Sequence, residues 1–348
     1  MFETLGFETL TAPQAAIWFA LGLGVLFGAL AQVTRFCLRR AIVAGNDRRQ
    51  AAGVWLTALA VAVLGTQFAV AQGWIGFGDH RFMATDLPVL AIVAGGVMFG
   101  VGMVLTRGCI SRLTVLSGAG NLRAITVLVV FAITAHAALK GVLAPVRTAL
   151  GGHTVSLDSA ALPGAPAIWA GLIAVAALAY ALRSGNRVGL LVLAGLIGAL
   201  VPIGWVGTGF VLYDDFDPIA MQSLSFTSPA ADALFYSVAS TAVGANFGAG
   251  LIGGVLIGAL LAALLTGRFE WQSFESPRQT GRYFAGATLM GLGGVLAGGC
   301  TVGAGLAGVP TLSLAALLAL GSIIGGGLLA DRVLRGRHQP KPQAIPAE

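Results

Sequence analysis

Residues 102–112 read GMVLTRGCISR, and residues 293–303 read GGVLAGGCTVG. Each stretch follows a long apolar run and contains a Gly-Cys pair. When Cys109 is aligned with Cys300, two glycines, a valine and a leucine coincide at four further positions. The chain has three cysteines in all, and two of them fall on equivalent positions of this pattern. The match therefore indicates a duplicated half-molecule.

The composition is typical of an integral membrane protein. Of the 348 residues, 57% are hydrophobic and 10% are charged, and the mean hydropathy is +0.88. Soluble domains carry roughly 25% charged residues. The net charge of +6 does not indicate a nucleic-acid partner, because the basic residues lie between apolar runs. Three distant cysteines without a CxxC motif predict neither a disulfide framework nor a zinc site, and we expect no metal and no cofactor.

Apolar runs of about 17 to 25 residues can cross a bilayer as helices. The sequence predicts about nine such crossings: 15–34, 51–72, 87–106, 124–144, 165–182, 188–204, 248–267, 283–299 and 311–330. A shorter run near 231–246 is predicted to be a re-entrant or surface helix. The predicted fold class is therefore an all-α integral membrane protein that forms a single transmembrane domain.

The basic residues are concentrated in alternate connecting segments. One set of segments holds 17 of the 20 lysines and arginines: 35–50, 107–123, 183–187, 268–282 and 332–348. The alternate set holds only Arg81 and Arg147: 1–14, 73–86, 145–164, 205–247 and 300–310. Positive charge marks the cytoplasmic side of a membrane protein. The N-terminus is therefore predicted to lie outside and the C-terminus in the cytoplasm.

The two Cys segments end the third and the eighth predicted crossings, so they point in opposite directions. Inverted copies of this kind, here approximately 1–150 and 165–335, place a substrate site near the membrane midplane. Gly-rich irregular backbone is tolerated at that depth only where protein or a water-filled path covers it. Residues 298–308, GGCTVGAGLAG, are predicted to form a re-entrant loop of this type.

All three cysteines lie where an apolar helix is predicted to end, and they are the predicted substrate-binding residues: Cys37, Cys109 and Cys300. A single cysteine in such a place is most simply a small buried hydrophobe. Three at matching junctions favour a shared role. A thiol in an apolar, water-poor site stays protonated, donates weakly and carries a soft sulfur atom. It suits a sulfur anion that must be held loosely enough to move on.

Arginines and glycines beside the cysteines are candidates for the pathway or a gate: Arg35, Arg107, Arg112, Gly108 and Gly299. Arginines at a pathway mouth concentrate an anion. The positive-inside rule is the alternative, and it accounts for Arg39, Arg40, Arg48 and Arg49. Arg107 is the strongest functional candidate because it directly precedes the Gly108-Cys109 pair. Cys300 has no arginine beside it, so an anion there would depend on backbone N–H groups.

Acidic residues are absent from the centres of the apolar runs, so a carboxylate relay for protons or sodium has no candidate. His136 and Lys140 lie four residues apart near a helix end, and a snorkelling lysine explains them. His80 lies in an outer loop and is predicted to be an ordinary surface residue.

The segments TRFC at 34–37, TRGC at 106–109 and AGGCTVGAG at 297–305 resemble the cysteine-bearing segments of the YeeE/YedE family of sulfur transporters. The resemblance implies a bacterial inner-membrane fold with inverted halves and helix-loops dipping to its centre. It also implies thiosulfate uptake through S–H···S contacts with the three cysteines. A small cytoplasmic sulfur carrier of the TusA type is an implied partner.

The leading prediction is therefore a transporter of a sulfur-containing anion, not an enzyme. A membrane thiol enzyme, transferring disulfides or sulfane sulfur, is the alternative. Such an enzyme normally needs a second cysteine near the first, and here two could meet only in space. A structural subunit with inert thiols is the third possibility.

Overall fold

A computed structural model describes residues 10–336; the predicted positions of the two chain ends involve residues 1–9 and 337–348, which lie outside the described range. Thirteen α-helices form most of that range: α1 Ala12–Thr34, α2 Leu38–Ile42, α3 Arg48–Ala71, α4 Val89–Leu105, α5 Ile110–Gly118, α6 Leu122–Lys140, α7 Ala144–Gly151, α8 Pro166–Leu182, α9 Val188–Val206, α10 Thr227–Ala239, α11 Phe247–Leu265, α12 Pro277–Leu296 and α13 Leu314–Gly336. Two-residue strands β1 (Asp86–Leu87) and β2 (Val155–Ser156) pair antiparallel.

The all-α membrane class is confirmed. Within residues 10–336, eight helical stretches are long and apolar enough to cross a bilayer: Ala12–Ile42, Arg48–Ala71, Val89–Gly118, Leu122–Lys140, Val188–Val211, Phe247–Leu265, Pro277–Thr311 and Leu314–Gly336. The remaining predicted crossing, 165–182, corresponds to α8, whose 17 residues lie at the short end of the spanning range. The shorter run predicted near 231–246 is α10, which begins earlier, at Thr227.

Polar side chains mark where several of these apolar helices begin. Asn121 accepts a hydrogen bond from the Ala124 backbone N–H at 3.0 Å before α6, and Asn246 does the same for Ala249 before α11. Ser276 precedes α12, whose first residue is Pro277. Asn and Ser at these positions satisfy N–H groups that the helix leaves free, and proline loses nothing there. The sequence thus sets the helix starts even though the helices are apolar all round.

Glycines allow the long helices to pack with their backbones in contact. A Cβ atom added to Gly28 on α1 would clash with the Val255 carbonyl of α11, and one added to Gly258 would clash with the Val25 carbonyl. Close contact through small residues is the usual way in which helices associate in a bilayer. The pairing of α1 with α11 therefore depends on these glycines.

The α4–α12 pair runs antiparallel. Gly95 of α4 lies against Ala297, just beyond the end of α12, whereas Gly102, further along α4, lies against Gly286. The helices that lead to Cys109 and Cys300 therefore enter the protein from opposite sides. This geometry is the one expected for inverted copies, and the duplication itself stays a prediction.

The connecting segments contact one another within the two sets that the distribution of lysine and arginine defines. The basic segments meet on one face, which we call the inner face: Asn186 Nδ2 donates to the Gln50 carbonyl at 2.9 Å, and Asn121 Nδ2 donates to Gln272 Oε1 at 2.6 Å. The other set meets on the opposite face, which we call the outer face. There β1 pairs with β2, and the Leu162 N–H donates to the Leu312 carbonyl at 3.0 Å.

Candidate functional site

The three cysteines share one backbone arrangement. Two residues before each cysteine the chain adopts a left-handed conformation, with φ of 53° at Arg35, 59° at Arg107 and 74° at Gly298. This conformation ends a helix and lets the chain turn sharply. Each cysteine is then the residue immediately before a new helical segment: α2 after Cys37, α5 after Cys109 and a π-helical segment, Thr301–Gly308, after Cys300.

The segment after Cys300 differs from the prediction of an irregular loop. Residues Thr301–Gly308 form wide helical turns, followed by a short 3-10 turn at Val309–Thr311. Every residue of Thr301–Gly308 is buried. Buried backbone N–H and C=O groups need partners, and helical hydrogen bonds supply them. Glycine and alanine therefore form a compact helix here instead of a loop.

Cys37 and Cys109 lie together. Their Sγ atoms are 3.9 Å apart, and either thiol can donate to the other. Both residues are buried, with 3% and 1% of their surfaces exposed. Cys109 Sγ also lies 3.2 Å from Ser111 Oγ. Two junctions far apart in the sequence thus build one site with two thiols and a hydroxyl.

Cys300 occupies a separate, fully buried position. Its Sγ accepts a hydrogen bond from the Gly303 backbone N–H at 3.3 Å. Phe226 and Thr227, at the start of α10, are its neighbours. A backbone N–H group at the beginning of the π-helical segment therefore faces the sulfur.

The helix ends that precede Cys109 and Cys300 lie at two levels of the membrane domain. Leu105, at the end of α4, lies beside Gly286, whereas the end of α12 lies beside Gly95. Ten residues of α4 separate these contacts, which corresponds to about 15 Å at 1.5 Å per residue. The structure therefore brings Cys37 and Cys109 together and places the helix end before Cys300 further toward the outer face.

A line of three buried aromatic rings connects the two levels. The ring of Phe226, beside Cys300, is 5.2 Å from that of Phe27, which in turn is 6.2 Å from that of Phe36. Phe36 directly precedes Cys37 in the chain. The rings are at most 2% exposed. Packed aromatic rings therefore link the surroundings of Cys300 to Phe36, the neighbour of Cys37.

The predicted pathway residues differ in position. Arg35 and Arg107 are exposed on the inner face at the left-handed positions. The half-buried Arg112 donates to the Ala31 carbonyl at 3.1 Å and to Gln32 Oε1 at 3.2 Å. Arg112 therefore ties the start of α5 to the end of α1, next to the cysteine pair.

The two predicted glycines are required to different degrees. A Cβ atom at Gly299 would approach the backbone nitrogen of Ala304 to 2.7 Å, which the wide helical turn does not allow. At Gly108 it would meet only the Leu113 side chain, at 3.2 Å. At Gly299 a larger residue is therefore excluded by backbone atoms. At Gly108 it is opposed only by a side chain, which can move.

Arg107→Gly separates the charge of this arginine from its backbone conformation. Glycine adopts positive φ without strain, and the third junction already has glycine at this place, Gly298. We expect Arg107→Gly to fold like the wild type and to lower the uptake rate by about twofold to fivefold, because the removed charge is exposed and screened. Arg107→Ala, which loses the same charge, should also lower thermal stability. Equal uptake by wild type and Arg107→Gly would assign this arginine to topology alone.

A cavity of about 820 Å³ opens between the loops of the outer face. It extends inward to Gly303, the residue whose N–H donates to Cys300. Its lining includes His80, Arg81, Trp205, Ser225, Asp232 and Gly303. We call it the outer cavity. It leads from the outer face to the first of the two cysteine levels.

The prediction that His80 is an ordinary surface residue is wrong. Its ring is 5.2 Å from that of Trp205 and 5.0 Å from that of Phe82. Burial, together with the charge of Arg81, lowers the pKa of His80 to about 4. Nδ1 accepts from the Phe82 N–H at 3.3 Å, so the neutral ring carries its proton on Nε2. No local pattern could have identified this site, because its walls come from segments distant in the sequence.

Protein stability should fall as the pH drops from 6.5 to about 4, the range between the ordinary and the lowered pKa of His80. Between these pH values His80 is protonated in the unfolded chain but neutral in the folded protein, so lowering the pH favours unfolding. Above pH 6.5 the ring is neutral in both states and the effect is absent. Apparent melting temperatures in detergent would measure it. His80→Gln should flatten the dependence, whereas His153→Gln, on an exposed outer loop, should keep it. An unchanged slope in His80→Gln would contradict the neutral buried ring.

Comparisons with known proteins show what this chain is similar to. A family model described as sulphur transport matches residues 33–329, which include all three cysteine junctions. The thiosulfate transporter TsuA of Spirochaeta thermophila is 26% identical over 335 residues, with 86% of this chain and 93% of the relative covered. TsuA of Escherichia coli is 26% identical over 316 residues, with 81% and 84% covered.

Proposed function

Because the chain belongs to the sulphur-transport family, we propose that it takes up thiosulfate or a related sulfur-containing anion across the bacterial inner membrane. The anion enters through the outer cavity, meets Cys300, passes the line of rings and reaches the Cys37–Cys109 pair. The single observation that supports this order is that the helix end before Cys300 lies about 15 Å further toward the outer face than the helix end before Cys109. Both relatives are named thiosulfate transporters, which supports thiosulfate as the ligand.

The thiols suit this ligand because of their charge and softness. A protonated thiol can donate a hydrogen bond to a sulfur anion. It does not repel the anion, whereas a negatively charged carboxylate or thiolate would. Weak donors in sequence hold the ion loosely, which conduction requires. The Cys37–Cys109 distance of 3.9 Å is that of an S–H···S contact, so the pair can exchange its internal contact for one to the ligand.

The inner face provides a place for a partner. Arg35 and Arg107 are exposed there, directly beside the junctions that hold the cysteine pair. A cytoplasmic sulfur carrier of the TusA type would take the anion as it leaves the pair. This partner rests on the family resemblance and on the exposed positive charge.

Uptake of labelled thiosulfate, sulfite and sulfate into cells that lack their own routes tests the function. We expect thiosulfate to enter faster than in empty-vector cells, and sulfate, which has no sulfane sulfur, to enter no faster. If none of the three anions exceeds the empty-vector rate, the transport function is wrong.

The 3.9 Å contact between two thiols also fits the thiol enzyme. In that reaction a thiolate attacks the sulfane sulfur of thiosulfate, the S–S bond breaks and sulfite leaves with its electron pair, so a persulfide remains on the cysteine. Mass spectrometry after incubation with thiosulfate separates the two functions. A gain of one sulfur atom on Cys37 or Cys109 would favour the enzyme; transport leaves all thiols unmodified. The relatives are named as transporters.

A further inference from the structure

The outer cavity contains polar groups for which the protein provides no partner. The indole Nε1–H of Trp205 is buried without a hydrogen-bond partner in the described part of the chain, and Trp205 is only 3% exposed. Ser225 Oγ is also buried without a hydrogen-bond partner in residues 10–336. Both residues line the cavity. An indole N–H can only donate, and a buried donor left unpaired is destabilising, so a ligand with an acceptor atom is the group that would complete this site.

Positive charge reaches the same wall. Arg81 lines the cavity, and its guanidinium lies 5.1 Å from the centre of the Phe82 ring, which orients it. His80 beside it carries no charge at neutral pH, because burial lowers its pKa to about 4. The neutral ring offers an Nε2–H donor without adding a second full charge to the site.

Two carboxylates limit how tightly an anion is held. Asp79 and Asp232 also line the cavity. Burial raises the pKa of Asp232, and the nearby Lys140 and His136 act against that rise. A transport site has to release its ligand, so a mixed wall of donors and carboxylates is consistent with weak capture.

The volume suits a partly hydrated ion. A water molecule occupies about 30 Å³ in the liquid, so a cavity of about 820 Å³ holds a small polyatomic anion with several of its waters. Gly303 connects the cavity to Cys300. A Cβ atom added to Gly303 would lie 2.8 Å from Ser225 Oγ, and the Gly303 N–H donates to the Cys300 sulfur.

We infer that Arg81, Trp205 and Ser225 form an outer capture site for a small divalent oxoanion of sulfur, which it binds before the anion reaches Cys300. The site rests on the proposed function for its ligand. It assigns a binding role to three residues outside the cysteine junctions. Arg81 supplies attraction, and the Trp205 N–H and the Ser225 hydroxyl supply directed donors.

Concentration-dependent uptake of labelled thiosulfate tests the site. Arg81→Gln should raise KM about tenfold or more, since a hydrogen bond to a charged group is worth about 1.5–3 kcal/mol, with little change in maximal rate. Arg81→Lys should recover much of the affinity. Trp205→Phe and Ser225→Ala, which remove one donor each, should raise KM about threefold to tenfold. Asp232→Asn should lower KM.

Arg147→Gln is the matched control, because it removes the same charge from the outer face, and Arg147 does not line the outer cavity. If it raises KM as much as Arg81→Gln does, only general surface attraction is involved and the capture site is wrong. An unchanged KM in Arg81→Gln, or a raised KM in Asp232→Asn, would overturn it as well. Size-exclusion profiles identify any variant that fails to fold.

Equilibrium binding of labelled thiosulfate to the purified full chain distinguishes this inference from the proposed function. Cys300→Ser should retain binding at the outer site even if its uptake is lost, whereas Arg81→Gln should lose it. Wild-type binding without any uptake would overturn the transport function and leave the capture site standing. If the wild type takes up thiosulfate and Arg81→Gln binds thiosulfate as tightly as the wild type does, the capture site is wrong and the transport function stands.

Discussion

Cys109→Ser is expected to lower thiosulfate uptake by at least about tenfold, equivalent to about 1.4 kcal/mol of lost stabilisation along the route. Cys109 Sγ contacts both Cys37 Sγ, at 3.9 Å, and Ser111 Oγ, at 3.2 Å. A serine hydroxyl is smaller and harder than a thiol, so it would bond to Ser111 and lose its contact with Cys37. The anion would then meet one thiol where the wild type offers two. Initial rates of labelled uptake at matched membrane content measure the change.

Ser111→Ala is the control for this result. It removes the hydroxyl partner of Cys109 but leaves both sulfur atoms in place. We expect it to retain most of the uptake. If Ser111→Ala is as damaging as Cys109→Ser, the hydroxyl network is the requirement and not the sulfur. If Cys109→Ser transports like the wild type, the thiols are inert and the chain functions without a cysteine relay.

The junctions themselves were largely readable from the sequence. The repeated Gly-Cys pattern predicted where α4 and α12 end, and the positions of Cys37, Cys109 and Cys300 after helix ends are as expected. The left-handed backbone at Arg35 and Arg107 was not predictable, because arginine rarely adopts positive φ. Alignment with Gly298 is the one local hint, since glycine adopts this conformation freely.

The arrangement of the junctions in space was only partly predictable. Opposite directions for the Cys109 and Cys300 segments follow from counting crossings, and the antiparallel α4–α12 pair agrees with this. The sequence predicted a substrate site near the membrane midplane, but it did not give the distances between the three thiols. Two helices that pack side by side overlap along their length, so the helix ends before Cys109 and Cys300 lie at different levels. Only tertiary packing fixes that overlap.

The outer cavity was the least predictable part. Its walls combine a short outer loop around His80 with Trp205 at the end of α9 and with the start of the π-helical segment. None of these carries a periodic pattern or a motif. Charge is the only signal by which a sequence marks such loops. Arg81 carries that signal, because it is one of two basic residues in the connecting segments of the outer face.

Gly258→Ala is expected to destabilise the protein strongly, whereas Gly253→Ala on the same helix should be neutral or slightly stabilising. An added Cβ at Gly258 would clash with the carbonyl oxygen of Val25 on α1, a backbone atom that cannot rotate away. At Gly253 a Cβ meets nothing within 4 Å. Alanine favours a helix over glycine by about 1 kcal/mol, so propensity alone predicts the same gain at both sites. Overpacking costs about 1–3 kcal/mol or more and reverses the sign at Gly258.

Apparent melting temperatures and the yield of monodisperse protein in detergent measure the difference, and uptake adds a second reading. Helix α1 ends at Thr34, directly before the Cys37 junction. A shift of α1 away from α11 would therefore move Cys37 relative to Cys109 and reduce uptake even in protein that still folds. Melting of Gly258→Ala at the wild-type temperature would show that the two backbones are not in contact. Equal losses in both variants would instead point to a general intolerance of α11 to alanine.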